Sequence, residues 1–232
     1  MTSSLPTAEP IRSKGFVFDL DGTLLDNMAI HAQAFAIFVE RHGLPPLTLE
    51  ARRGLDGKRN REIFPILFGR ALPEAELRAF AEEKEGLYRQ LSRGRLVPLA
   101  GLGRLLSILE ARGLPAAIAT SAPAENVRHT LGELGLGGRL TRIARSDEVA
   151  RGKPYPDVFL AAARLIDVAP RECLAFEDAP LGVVAARAAG MTCVALSTTF
   201  SALDMAERAA EPQYTVADFD EFLAGPGAWL LG

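Results

Sequence analysis

Gly15-Phe16-Val17-Phe18-Asp19-Leu20-Asp21-Gly22-Thr23 is a short apolar run that stops on an acid. Four consecutive apolar-run residues bounded this way read as a buried β-strand. In extended chain, residues two apart share a face, so Asp19 and Asp21 project into one small space. Asp-Gly alone would be a turn. A turn, however, does not need a second carboxylate two residues earlier, behind a buried strand. Ligands of open α/β sheets bind beyond the carboxyl ends of the strands, which is where this pair would stand.

Further strand-like runs are Ala116 to Thr120, Leu140 to Ala144, Cys173 to Phe176, Thr192 to Leu196 and Tyr214 to Val216. Helix-period stripes lie between them: Leu102, Leu105, Leu106 and Leu109; Val127, Leu131 and Leu134; Val158, Phe159, Ala162, Leu165 and Ile166. Gly113, Gly135 and Gly190 stand where left-handed C-terminal caps would close these helices. Strands alternating with helices predict an α/β fold, a Rossmann-like, doubly wound parallel sheet.

One interval breaks the alternation. A βαβ step takes ~30 residues, so the segment from Asp19 to Thr120 holds about 70 too many. It reads as helical throughout: Met28 to Arg41, Thr48 to Arg53, Asn60 to Phe68 and Pro73 to Leu91. The expected organisation is a tail over 1–14, a core formed by 15–27 and 97–232, and an inserted all-α cap domain over 28–96. Its hinges would be Asp26-Asn27 and Val97-Pro98.

The 232 residues are 48% hydrophobic with a formal net charge of −3, enough to bury a core without staples. Interspersed charges argue against a nucleic-acid or membrane-surface binder. Two cysteines and three histidines cannot furnish a Cys/His zinc framework. Cys173 and Cys193 lie in apolar runs and read as core thiols of a reducing compartment. No apolar stretch reaches the roughly 18 residues of a membrane span, and Met1 to Lys14 lacks the apolar centre of a signal peptide. The expectation is a cytoplasmic monomer with no nucleic-acid or membrane partner.

A second acidic pair, Glu177-Asp178, follows the run Cys173-Leu174-Ala175-Phe176. Read alone, it could cap the next helix. Four carboxylates at one sheet edge, Asp19, Asp21, Glu177 and Asp178, would repel strongly unless a cation joined them. Oxygen ligands without His or Cys suit Mg²⁺. Thr120 ends another strand, so its hydroxyl and the Ser121 side chain would face the same edge. Lys153 stands between Gly152 and Pro154, and the proline steers it toward extended backbone. A carboxylate nucleophile, a proton donor, Mg²⁺, a hydroxyl and an ammonium make a phosphoryl-transfer set, and the expected partner is a small phosphorylated metabolite. Asp19 would attack phosphorus, Asp21 would serve as general acid and base, and Mg²⁺ with Lys153 would offset the phosphoryl charge.

With Asp19-Leu20-Asp21-Gly22-Thr23, Thr120, Lys153-Pro154 and Glu177-Asp178 in this order, the sequence resembles the haloacid dehalogenase superfamily of phosphatases and phosphomutases. The resemblance runs from Gly15 onward and implies a core of that superfamily's type. It also implies a helical cap, with Mg²⁺ held by Asp19, the Asp21 carbonyl and Asp178. Within the superfamily the sequence is most similar to the β-phosphoglucomutase-like group. His31, Lys84 with Tyr88, and the loop Gly57-Lys58-Arg59-Asn60-Arg61 look like that group's cap residues. Two departures favour a phosphatase over a mutase. Gly22-Thr23 replaces the mutases' Gly-Val. Ser121-Ala122-Pro123-Ala124-Glu125 replaces a Ser-Lys that grips a second phosphate.

Candidates to hold substrate are Gly22, Thr23, Ser121 and Asn126 on the core side, with His31, Arg59 and Lys84 from the cap. Each cap residue also has a plainer reading. Lys84 could snorkel from an apolar stripe on a helix whose outer face would be Glu74, Glu76, Glu82, Glu83 and Glu85. His31 could be a core histidine. Arg52, Arg53, Lys58, Arg59 and Arg61 could mostly be solvated. A receiver-type phospho-switch also uses Asp, an acidic pair, Thr and Lys, but it is about half this length and places the pair before the phosphorylated Asp. A true dehalogenase would not need Asp21. Gly101-Leu102-Gly103 lacks a third Gly and a preceding strand, and no P-loop occurs.

Overall fold

The computed structural model describes residues 13–208 and 210–232, so all but the last two residues of the tail expected over 1–14 lie outside the described residues; Ser13 is buried and Lys14 donates its N–H to Glu172 O at 2.8 Å. Six strands form one sheet: β1 (Gly15–Phe18), β2 (Ala116–Thr120), β3 (Ile143–Arg145), β4 (Cys173–Glu177), β5 (Thr192–Leu196) and β6 (Tyr214–Val216). Every pairing is parallel and the order is β3-β2-β1-β4-β5-β6. The chain builds outward from β1 in one direction, then returns to β1's other side with β4. That reversal leaves a crevice at the carboxyl ends of β1, β2 and β4, directly beyond Asp19, Thr120 and Glu177.

Alternation along β1 explains why both faces of the sheet are covered. Phe16 and Phe18 point to a large-residue layer with Leu102, Leu105, Leu109, Phe176, Phe219 and Phe222. This face is covered by α5 (Leu102–Ala111), α6 (Ala124–Glu133) and α10 (Phe219–Ala224). Val17 points the other way, to a layer of mostly small side chains that includes Ala117, Ala175 and Cys193, with Phe159 among them. Here α7 (Asp157–Leu165) and α8 (Pro180–Ala188) pack close to the strands. Gly113, Gly135 and Gly190 adopt φ of +63°, +67° and +82°, as the helix-end reading requires.

The third strand corrects the expectation of Leu140 to Ala144. Leu140 donates its N–H to Leu136 O in the turn after α6, with its side chain in the large-residue layer. Pairing with β2 begins only at Ile143, opposite Ile118. The apolar Leu140 serves the core from a turn, which a hydrophobic run cannot distinguish from a strand.

Between β1 and β2 come α1 (Met28–Arg41), α2 (Leu49–Arg53), α3 (Asn60–Phe68) and α4 (Glu74–Ser92). They hold their own apolar cluster around Ala34, Phe38, Val39, Phe64, Leu87 and Tyr88. His42 packs against Phe38 and Phe80 and hydrogen-bonds Glu83 at 2.8 Å, so it is a satisfied structural histidine. No helix among the described residues is long and apolar enough to cross a membrane.

Candidate active site

The crevice is walled by the sheet edge on one side and the helical insert on the other. Asp19, Asp21, Thr120, Ser121, Asn126, Lys153, Glu177 and Asp178 come from the sheet side, and His31, Arg52, Asp56, Lys58, Asn60, Lys84 and Glu85 from the insert. At its floor Lys153, whose side chain is 1% exposed, donates to Asp19 Oδ1 at 2.5 Å and to Glu177 Oε1 at 2.5 Å. The Lys153–Pro154 peptide is cis. Glu177 Oε2 accepts the backbone N–H groups of Asp178 (2.9 Å) and Ala179 (3.0 Å), so both its oxygens are occupied by this chain. Gly182 makes room for it: a Cβ there would lie 1.7 Å from Glu177 Oε1.

Asp178 receives Thr199 Oγ1 at 2.5 Å and Thr23 Oγ1 at 3.3 Å. Gly22, at φ +83°, passes so close that a Cβ would stand 2.0 Å from Asp178 Oδ2. Only glycine combines that left-handed backbone with that approach. Gly22 and Thr23 therefore shape the carboxylate cradle from behind and do not line the crevice. Thr120 Oγ1 accepts the Ala122 N–H at 3.0 Å, in the turn between β2 and α6, which leaves the hydroxyl proton free for another partner at the crevice it lines.

Asp19, Glu177 and Asp178 are all buried and bring one oxygen each within 4.8 Å of one another. Lys153 is the single ammonium among them, so three carboxylates meet one positive charge. Burial pushes the Asp19 carboxyl up to about 8, with Lys153 resisting and Glu177 and Asp21 reinforcing the rise. Burial and the Glu177 and Asp19 charges likewise raise Asp178 well above the usual carboxylate range. An all-oxygen site with surplus negative charge fits a hard divalent cation such as Mg²⁺.

Asp21 faces the insert. Its Oδ1 accepts Asn27 Nδ2 at 2.6 Å and stands 3.6 Å from His31 Nε2. Burial works against its charge, but the His31 ring, Asn27 and Lys84 hold the carboxyl below its ordinary value. Lys84 Nζ has only protons to offer, so His31 Nδ1 accepts its hydrogen bond at 3.0 Å. The ring proton of neutral His31 is then on Nε2, aimed at Asp21. Tyr88 stacks on His31 with centroids 3.9 Å apart, and its hydroxyl accepts from Asn27 at 2.6 Å. Asn27 Oδ1 in turn accepts the Gly22 N–H at 3.0 Å, so this fully buried residue ties the Asp19–Thr23 loop to the insert.

Several readings of individual residues change here. Lys84 does not snorkel: it is 3% exposed and bound between His31 and Glu85. Glu85 is not on the outer face but buried in the crevice wall. Arg59 turns its guanidinium to Glu62 and Ser146 O and does not line the crevice. Arg52 and Arg53 are paired with Asp56 and Asp204, not solvated. Pro123 lines the crevice, but Glu125 is exposed and outside it. Ser121 donates to Gly57 O at 2.8 Å, joining the sheet edge to the insert's loop. Asn126 reaches the crevice through Glu85, to which it donates at 2.6 Å.

Sequence reasoning does not single out Asn27, Asp56 or Glu85 as site residues, and it includes Asn60 only as part of the loop Gly57 to Arg61. Glu85 had a signal: it is four residues after Ala81 and three before Tyr88, hence on the stripe those two define. Its charge outweighed its phase in the reading.

A family model, haloacid dehalogenase-like hydrolase, matches residues 13–190. Hexitol phosphatase A of Escherichia coli K12 is 36% identical over 190 residues, covering 81% of this chain and 84% of that protein. The beta-phosphoglucomutase of Bacillus subtilis 168 is 32% identical over 189 residues, covering 78% and 82%. The crystal structure of a hydrolase from Pseudomonas syringae superposes with a TM-score of 0.80 at 27% identity, over 92% of this chain and 98% of that one.

Proposed function

From membership of the haloacid dehalogenase-like hydrolases, to which this chain belongs, we propose that it hydrolyses phosphomonoesters of small polyhydroxylated molecules, sugars or hexitols, through an aspartyl-phosphate on Asp19. The observation that carries this reading is the division of the two aspartates. Asp19 is locked to Lys153 at the core edge, while Asp21, two residues on, is held by Asn27 and His31 at the insert. Nucleophile and acid/base thus face one crevice from opposite supports.

In the first half-reaction an Asp19 oxygen attacks phosphorus and the bond to the ester oxygen breaks. Asp21 delivers a proton to the departing alkoxide. In the second, water attacks the phosphorus of the acyl phosphate, gives its proton to Asp21, and leaves inorganic phosphate with Asp19 restored. Without substrate, Asp21 is held as a carboxylate, the form the second step needs. A phosphate dianion arriving beside it favours proton uptake, the form the first step needs. Lys153 and the Thr120 hydroxyl contact the phosphoryl oxygens. Glu177 positions Lys153. Asp19, Asp178 and the Asp21 main chain would hold Mg²⁺, which supplies positive charge against the phosphoryl group. Residues 28–96 act as the cap that excludes bulk water.

The relative named beta-phosphoglucomutase makes an isomerase the second reading. A mutase must keep a bisphosphate in place while it turns over. Pro123, at the crevice wall where a second phosphate would need donors, has no N–H. The test is β-glucose 1-phosphate with Mg²⁺, following inorganic phosphate and glucose 6-phosphate together. Phosphate should appear faster, and Asp19→Asn should abolish its release. Faster glucose 6-phosphate would establish the mutase, and a fully active Asp19→Asn would refute the nucleophile.

A further inference from the structure

Glu85 is 5% exposed in the crevice wall, yet no step above uses it. Its Oε1 accepts Asn60 Nδ2 at 2.9 Å and Lys84 Nζ at 3.1 Å, and its Oε2 accepts Asn126 Nδ2 at 2.6 Å. Three elements, α3, α4 and α6, therefore converge on one carboxylate. Burial opposes its charge, but Lys84, His31 and Asn60 hold the carboxyl below its usual range, so it stays anionic.

We propose that Glu85 is the specificity-determining residue of this site, setting the crevice wall formed by the insert to read hydroxyl groups and to reject a second phosphate. The proposal rests on the phosphatase reading above and deepens it.

The argument is one of donors and charges. Lys84 carries three N–H groups, of which His31 and Glu85 take two. Glu85 Oε2 has a single partner and can accept again. A free N–H beside a free carboxylate oxygen is the complement of a hydroxyl, which accepts from one and donates to the other. A phosphate dianion has no proton for Glu85 and would meet its charge at close range. Of the neighbouring cations, Lys58 alone is left to compensate. Glu85 balances Lys84, and Asp56 balances Arg52 through two 2.9 Å hydrogen bonds. Among the described residues lining the crevice, Lys58 and Lys153 are the other cations, and Lys153 belongs to the reacting phosphate.

The experiment compares kcat/KM for a hexitol 6-phosphate and a hexose 1,6-bisphosphate in the wild type and in Glu85→Gln. The wild type should prefer the monophosphate by about tenfold or more, the size of one charged hydrogen bond. Glu85→Gln, which keeps the shape but frees Lys84, should shrink that ratio by about tenfold, as monophosphate turnover falls and bisphosphate binding tightens. A structural role alone would lower both substrates by one factor, and that result overturns the proposal. So does a wild type that uses both substrates equally well, which decides the matter even if the variant fails to fold. A wild type that releases phosphate from no monoester refutes the phosphatase reading itself. Normal monoester turnover with selectivity unmoved by Glu85→Gln refutes only the role of Glu85.

Discussion

Replacing Lys153 by Met tests whether this ammonium acts on the transferring phosphoryl group or only assembles the carboxylates. Met retains the volume of the aliphatic stem but not the ammonium, which lies 5.3 Å from the Phe159 ring centroid. What is lost is the charge 2.5 Å from both Asp19 Oδ1 and Glu177 Oε1. Removing one partner of a buried ion pair costs about 3–5 kcal/mol. Here the lower end applies, because Asp19, already at about 8, can take up a proton in place of the lost ammonium. A loss of about 3 kcal/mol corresponds to about 6–12 °C in Tm for a chain of this size, read by melting in EDTA. Mg²⁺ should bind the variant as well as the wild type or better, since a like charge has left its neighbourhood. Turnover should nevertheless fall about 10²–10³-fold, the usual cost of removing one preorganised electrostatic donor. The assay is phosphate release against Mg²⁺ concentration. If kcat at saturating Mg²⁺ stays within about threefold, or if the whole loss is recovered by adding Mg²⁺, Lys153 organises the metal site and does not stabilise the transition state.

The raised Asp19 pKa makes metal-free stability fall with pH: the native state retains a proton that the unfolded chain releases above about 4, so stability declines as pH rises toward about 8. Mg²⁺ competes with that proton, so its Tm increment should be several-fold larger near pH 8 than near pH 5.5; equal increments would contradict the assignment. Gly182→Ala places a Cβ 1.7 Å from Glu177 Oε1 and must displace the carboxylate that anchors Lys153. It should cost about 2 kcal/mol or more in a chemical melt and lower kcat with it, whereas a neutral phenotype would show that Glu177 can be moved without consequence.

The core was legible because its strands are buried on both faces and therefore read as continuous apolar runs ending in chemistry: Phe18 into Asp19, Ala119 into Thr120, Phe176 into Glu177. The excess length between Asp19 and Thr120 made the insert equally legible. The crevice wall contributed by the insert was not. Sequence reading assigns charged residues to solvent, and at Arg52, Arg53 and Glu85 that rule fails for one reason. Each is neutralised by a partner, Asp56, Asp204 and Lys84 respectively, and Glu85 takes further hydrogen bonds from Asn60 and Asn126. A buried charge is tolerated only when paired; the contacts to Asp204, Asn60 and Asn126 cross the fold and leave no local pattern, while the i,i+4 pair Arg52–Asp56 and the adjacent Lys84–Glu85 read equally well as a solvated surface. Arg59 shows the converse, since a loop position suited to substrate is spent on Glu62 and Ser146 O.

Asn27 explains why a core and an insert this distinct in sequence must work as one site. Asp19 accepts its side-chain hydrogen bond from Lys153, a core residue, and not from the insert. Asp21 takes its contacts from Asn27 and His31, at the start of the insert, and these are fixed in turn by Tyr88 and Lys84 on α4. A displacement of α4 therefore reaches the acid/base before it reaches the nucleophile. On the proposed mechanism, attack by Asp19 draws on core contacts, but protonation of the leaving oxygen needs Asp21 in register with it, and register of about an ångström decides such rates. The sequence separation of Asp21 from Lys84 and Tyr88, long enough to hold three helices, would on this proposal let the segment that recognises substrate also place the proton.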